Sequence, residues 1–222
     1  MRYLIDNFAE IWGFTKTHLY LALVPLLLGL VIAIPLGALV RRVTWLRRVT
    51  VTVASLAYTI PSLALFVIIP PLVGISTIDP LNVIIALTMY STALLVIAVP
   101  AALDSVPADV VDAADAVGFS SLRRTLTVDM PLAIPVFVSS LRVVVVTNIA
   151  MVSVGALIGV GGVGKLFTQG YQRDYPDEIV AGIIVILALA LIFDRLIYVL
   201  GRWSTPWVRA DVRTAQAKGW RS

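Results

Sequence analysis

A chain of 222 residues that is 59% hydrophobic and 14% charged, with mean hydropathy +0.97, is not composed like a soluble globular domain, where charge runs near a quarter. It has no cysteine, which excludes disulfides, thiolate metal sites and cysteine nucleophiles. The net charge of +4 raises nucleic acid as a partner, and the placement of the basic residues along the chain decides against it.

The opening residues, MRYLIDNFAEIWGF, hold Asp6 and Glu10 and no continuous apolar core, so no cleavable signal is expected. Leu4, Phe8, Ile11 and Trp12 fall at helical spacing, which predicts an amphipathic surface segment over residues 1–17. A first span is expected from about His18 to Val40, where bilayer crossing needs about 20 apolar residues. Gly29, Ala33 and Gly37 recur every fourth residue in it, a small-residue face suited to close helix packing. Pro25 and Pro35 are expected to bend it. A second span runs from about Val49 to Ile69, ended by Pro70 and Pro71, and Gly74 to Leu81 form a loop. The third span is Asn82 to Ala102. The fourth covers Leu132 to Val152, followed by a glycine-rich piece, Ser153 to Phe167, expected to be re-entrant or a short helix packed at the outer surface. Such backbone is tolerable at that depth only where protein or water covers it. The fifth runs from Ile179 to Leu200. These spans predict an all-α polytopic membrane protein with a transmembrane domain over 18–200 and a basic tail over 201–222.

Between the third and fourth spans lies a polar loop, 103–131. Its stretch from Val111 to Pro131 carries Asp112, Asp115, Arg123, Arg124 and Asp129, which are costly in hydrocarbon. Ala113, Ala114 and Ala116 favour helix and leave a surface that a partner can approach closely. Asp109 and Asp112 suit a helix start, Gly118 a helix stop, and Ser120 the cap of a second helix.

Topology follows from counting cations with the N-terminus placed outside. Inner segments hold Arg41, Arg42, Arg47, Arg48, Arg123, Arg124, Arg202, Arg209, Arg213, Lys218 and Arg221. Outer segments hold Arg2, Lys16, Lys165 and Arg173. That bias is the one expected of cytoplasmic loops. It puts the polar loop and the tail on the cytoplasmic side and removes the need for nucleic acid.

Within the loop, Asp112-Ala113-Ala114, three residues, Gly118, nine residues, Val128, one residue, Met130 and Pro131 resemble the "EAA" pattern of inner-membrane permeases of binding-protein-dependent ABC importers. Asp stands for Glu, Val for Ile and Met for Leu, with every spacing kept. The resemblance implies a type I ABC importer permease fold in which Asp112, Ala113, Ala114, Gly118, Val128 and Pro131 belong to a cytoplasmic coupling helix and its base, docked on an ATPase. It further implies a second permease, identical or related, two cytoplasmic ATPase subunits holding ATP and magnesium, and an extracytoplasmic binding protein. The chain itself is expected to bind no cofactor and to catalyse nothing, in a bacterial-type inner membrane.

Gly159 to Lys165, GVGGVGK, matches two nucleotide-binding patterns by letter. The hydroxyl residue expected after Lys165 is replaced by Leu166, and no strand–helix unit surrounds it. Two readings stay open for Gly159, Gly161, Gly162 and Gly164: a close-packed turn or an outer gate. Tyr58-Thr59-Ile60-Pro61-Ser62-Leu63-Ala64 sits inside the second span, where proline frees carbonyls. Together with Gly155 to Gly164 and the EAA segment, this run resembles osmoprotectant permeases for glycine betaine, carnitine or choline. Candidate pathway residues are Tyr58, Ser62, Tyr90, Asn148 and Ser153.

Arg142 and Asp194 are the ionisable residues deepest in apolar sequence. A charge at a helix centre costs about 3 kcal/mol on insertion scales, so the two are expected to face protein or water and to pair with each other. His18 is expected at the outer interface. The function expected is a permease moving an osmoprotectant inward by alternating access. An ion-coupled secondary transporter is the alternative, although such carriers usually show repeats and functional intramembrane acids.

Overall fold

The structure is a computed structural model that describes residues 2–207. The described residues form α1 (Arg2–Asp6), α2 (Phe8–Arg42), α3 (Thr44–Thr59), α4 (Ser62–Val73), α5 (Pro80–Asp104), α6 (Ala108–Ala116), α7 (Ser121–Arg124), α8 (Met130–Gly155), α9 (Lys165–Gln172) and α10 (Pro176–Ser204), and no strand. A π-helical turn, Thr125–Asp129, joins α7 to α8. Four of the helical segments are long and apolar enough to cross a membrane, or five if the bent pair α3–α4 counts as one. Residues 208–222 of the expected tail lie outside the described residues.

The bundle is built around α5. Its buried set includes Val83, Leu87, Tyr90, Ser91, Leu95, Val96 and Val99, and α2 and α8 cover it on two sides. The small face of α2 makes the first contact possible. A Cβ on Gly29 would stand 2.6 Å from the Ser91 Cβ, and one on Gly37 would stand 2.6 Å from the Val99 Cβ. Ala33 between them is fully buried. Close backbone approach of this kind replaces the hydrophobic drive that lipid cannot supply. The last helix, α10, packs on α8 and keeps most of its apolar residues exposed, Leu187, Leu191 and Ile192 among them.

Three expectations change. The amphipathic stretch near the N-terminus is not a separate helix, since α2 runs unbroken from Phe8. Its 35 residues rise about 52 Å, well beyond a hydrocarbon core of about 30 Å. Ile11 and Thr15 are buried, while Phe8 and Trp12 stay exposed and stack on each other. The apolar stripe is therefore split between the protein's own core and the outside.

The second change is in the expected span from Val49 to Ile69, which breaks at Pro61 into α3 and α4 with a bend of 100°. Proline forces the preceding residue out of the helical region, and Ile60 is extended at φ −63°, ψ 127°. Pro70 and Pro71 lie within α4, which ends instead at Gly74 with φ +77°, a left-handed stop that only glycine adopts freely.

The third is His18, which is fully buried rather than interfacial. Its Nδ1 accepts from the Val163 N–H at 3.2 Å, and its Nε2 lies 2.8 Å from the Ile149 carbonyl. A ring nitrogen that accepts carries no proton, so the other must donate, and the pair of contacts selects the neutral Nε2–H tautomer.

Candidate functional site

The polar loop forms a compact foot at one end of the bundle. Pro107 precedes α6, with Asp109 in its first turn, and α6 has no buried residue. Asp112 and Ala113 are exposed and Ala114 half-buried. Gly118 takes φ +87° and reverses the chain, its N–H donating to the Asp115 carbonyl while that of Phe119 donates to Ala114. The Ser120 hydroxyl then accepts from the Arg123 N–H, so α7 starts on a side-chain cap. Val128 and Pro131 are half-buried at the base, where the π turn enters α8. Val117 and Leu122 stand exposed beside α6, at 79% and 63%. A small-residue helix flanked by solvent-facing apolar side chains is a surface shaped for another protein.

What holds the foot is a chain of ion pairs that sequence reading did not find. Asp129 is fully buried, and its Oδ2 accepts from Arg41 Nη1 at 2.8 Å. Its Oδ1 lies 3.7 Å from Arg124 Nε, an attraction too long for a hydrogen bond. Arg124 Nη1 also donates to Asp115 at the end of α6. Arg41 Nε and Arg47 Nη1 clasp the two oxygens of Asp104 at 3.0 and 2.7 Å. The foot is thereby tied to the ends of α2, α3 and α5. The arginines at 41–48 are conspicuous in sequence only as a topology signal; the partners of Arg41 and Arg47 lie more than fifty residues away.

The other sequence candidates fall in separate places. Tyr58, exposed on α3, meets Tyr90 edge-on with ring centroids 5.7 Å apart. The Tyr90 hydroxyl donates to the Ile60 carbonyl, the group freed by the helix break, and Ser62 follows half-buried. Tyr90 itself is 1% exposed. Asn148 is equally buried and spends its amide within the bundle, donating to Ala22 O at 3.1 Å and to Ser91 Oγ at 2.8 Å. Neither is presented on an open face. Ser153 is half-buried, with an Oγ that meets no partner among the described residues.

The glycine turn packs down on the start of α2 and the end of α8. Gly162 has φ +91°, and a Cβ there would meet His18 Nδ1 at 3.1 Å. A Cβ on Gly164 would stand 2.6 Å from the Ser153 carbonyl oxygen. Gly159 is exposed at the bend, and Gly161 faces only the flexible end of Lys165. At the same end, burial first and then the Glu178 carboxylate push the Tyr3 hydroxyl up to about 12.

Arg142 and Asp194 form a two-pronged pair between α8 and α10, Nε to Oδ1 at 2.7 Å and Nη2 to Oδ2 at 2.8 Å. The guanidinium also lies 5.3 Å from the Tyr198 ring centroid.

Comparison with known proteins gives consistent findings. The family model described as binding-protein-dependent transport system inner membrane component matches residues 26–208. The osmoprotectant import permease protein OsmW of Salmonella typhimurium is 33% identical over 93% of this chain and 97% of its own length. The glycine betaine/carnitine/choline transport system permease protein OpuCB of Bacillus subtilis is 27% identical over 93% of this chain and 94% of its own. Among solved structures, a chain of the MetNI methionine ABC transporter, in an inward-facing form, superposes with TM-score 0.72 at 23% identity, covering 93% of this chain and 98% of that one.

Proposed function

This chain belongs to the family of inner-membrane components of binding-protein-dependent transport systems, and on that premise we propose that it is the permease of an ATP-driven osmoprotectant importer whose motor grips α6. The relatives named above act on osmoprotectants, glycine betaine, carnitine and choline, and a small molecule of that class is the substrate. The polar loop lies in the cytosol, the N-terminus outside. Two permeases, identical or related, assemble with two ATPase subunits and an external binding protein.

The observation that carries this reading is the foot itself. It combines a largely exposed Asp112-Ala113-Ala114 helix, a Gly118 stop and a base at Val128 and Pro131, braced by an ion pair to α2 and, through Arg41 and Asp104, to the ends of α5 and α3. A handle must be stiff to move what it is attached to. Closure of the ATPase pair pushes α6, and the Arg41–Asp129–Arg124 chain passes the displacement to the ends of α2 and α8. The substrate path runs between permeases. It draws on an open groove of about 510 Å³ between α2, α3 and α5, lined by Thr50, Thr88, Met89 and Thr92 among mostly apolar residues. Tyr58 and Ser62, near the α3–α4 break, remain pathway candidates. The glycine turn caps the outer end.

An ion-coupled carrier is not the reading the family supports. Asp194, the acid deepest in apolar sequence, is already held by Arg142 on two hydrogen bonds. The test is uptake of radiolabelled glycine betaine or choline into proteoliposomes containing the complete assembly. Uptake that needs enclosed ATP and the binding protein supports the proposal. Uptake driven by a proton or sodium gradient alone overturns it.

A further inference from the structure

Two cavities of opposite chemistry meet at the foot. One, of about 290 Å³, is apolar and lined by Ile34, Val99, Ala102, Leu126, Ile134 and Phe137. The other, of about 250 Å³, is polar and lined by Arg41, Arg42, Arg124, Ser121 and Thr125. Leu103 lines both, and Ile34, Ala38, Arg41 and Arg42 carry one face of α2 from the first into the second. The two adjoin at Leu103 as a greasy arm and a cationic mouth, the halves of one candidate cleft.

The level of the mouth is set by Trp45, 70% exposed just past the end of α2, since tryptophan concentrates at the membrane–water boundary. The cations are not fully spent on the foot's aspartates. Arg42 is exposed and has no carboxylate partner among the described residues. Arg41 commits only Nε and Nη1 to carboxylates. A guanidinium offers five N–H donors in a fork that suits phosphate. The shape, charge and depth of the cleft match one kind of ligand.

We infer that this cleft holds an anionic phospholipid, its phosphate on Arg41, Arg42 and Arg124 and one acyl chain in the apolar arm between α2, α5 and α8. The lipid adds a noncovalent brace where the foot joins the bundle. The inference does not depend on the direction of transport or on the identity of the substrate, because either leaflet supplies such a lipid.

The experiment is native mass spectrometry of the complete transporter, purified in mild detergent and supplied with phosphatidylglycerol or phosphatidylcholine. Phosphatidylglycerol is expected to stay bound in preference to phosphatidylcholine. Losing one charge-assisted hydrogen bond is worth about tenfold in affinity, so Arg42→Gln should cut retention at least about fivefold, and Arg42→Lys should cut it less. Ile134→Trp, which fills the apolar arm without touching an arginine, should cut it similarly. Ser121→Asp tests the mouth with every arginine in place, should Arg42→Gln fail to assemble. Arg48→Gln, one charge removed at the same level but outside the cleft, should retain lipid normally. Equal retention in wild type, Arg42→Gln, Ile134→Trp and Ser121→Asp overturns the site, as does equal retention of the two lipids. Displacement by millimolar inorganic phosphate assigns the mouth to a free anion and overturns the lipid.

Discussion

Arg41, at the end of the first long helix, donates to the buried carboxylate of Asp129, 88 positions later in the chain, across 2.8 Å. That bond joins the base of the family pattern, where Asp129 stands between Val128 and Met130, to α2, a span that the pattern does not include. Removing one partner of a buried ion pair costs about 3–5 kcal/mol. Arg41 is a fifth exposed and keeps Asp104, which lowers the expectation for Asp129→Asn to about 2 kcal/mol. Thermal unfolding of the purified assembly reads this loss. If the pair also transmits force, substrate uptake falls more than ATP hydrolysis does. Equal loss of both indicates a purely structural bond.

The Arg142–Asp194 pair is open to a double-mutant cycle. Arg142→Ala leaves a carboxylate in apolar surroundings, and Asp194→Ala strands a guanidinium. Each single change is expected to cost about 1–3 kcal/mol, and the double change less than their sum. Unfolding midpoints of the four proteins give the coupling. Additive losses would show that the two side chains do not support each other in the membrane.

Alanine at the glycine turn separates packing from gating. Gly164→Ala drives a methyl to within 2.6 Å of a backbone oxygen, whereas Gly161→Ala meets only the end of a lysine. Gly162→Ala combines a left-handed φ with contact on His18, and strain at such a position runs to about 1–3 kcal/mol. Unfolding should therefore rank Gly164 and Gly162 well below Gly161. A Gly161→Ala protein of normal stability whose uptake is lost would assign the turn a gating role in addition.

Most of the architecture is legible in the sequence because hydropathy acts locally. The segments 82–102, 132–152 and 179–200 lie inside α5, α8 and α10, and the turn chemistry of Gly118 and Ser120 needs only its neighbours. What escaped depends on contacts across the chain. Glu10, Lys16 and His18 make the start of α2 look too polar for a span, but His18 is satisfied by backbone groups near 149 and 163. Pro61 predicts a bend, whereas its size of 100° and the partner of the Ile60 carbonyl, the Tyr90 hydroxyl, are not written in the local sequence. The ion pairs of the foot join residues 57 to 88 apart for Arg41 and Arg47, beyond any local pattern.

The central claim is that α6 faces the cytosol and is held by a motor. The chain lacks cysteine, so Ala113→Cys carries the single thiol for a membrane-impermeant label. The account predicts labelling in inside-out vesicles stripped of the ATPase, protection when the ATPase is restored, and no labelling in intact cells. Labelling of intact cells from outside, or full labelling with the ATPase bound, would contradict it.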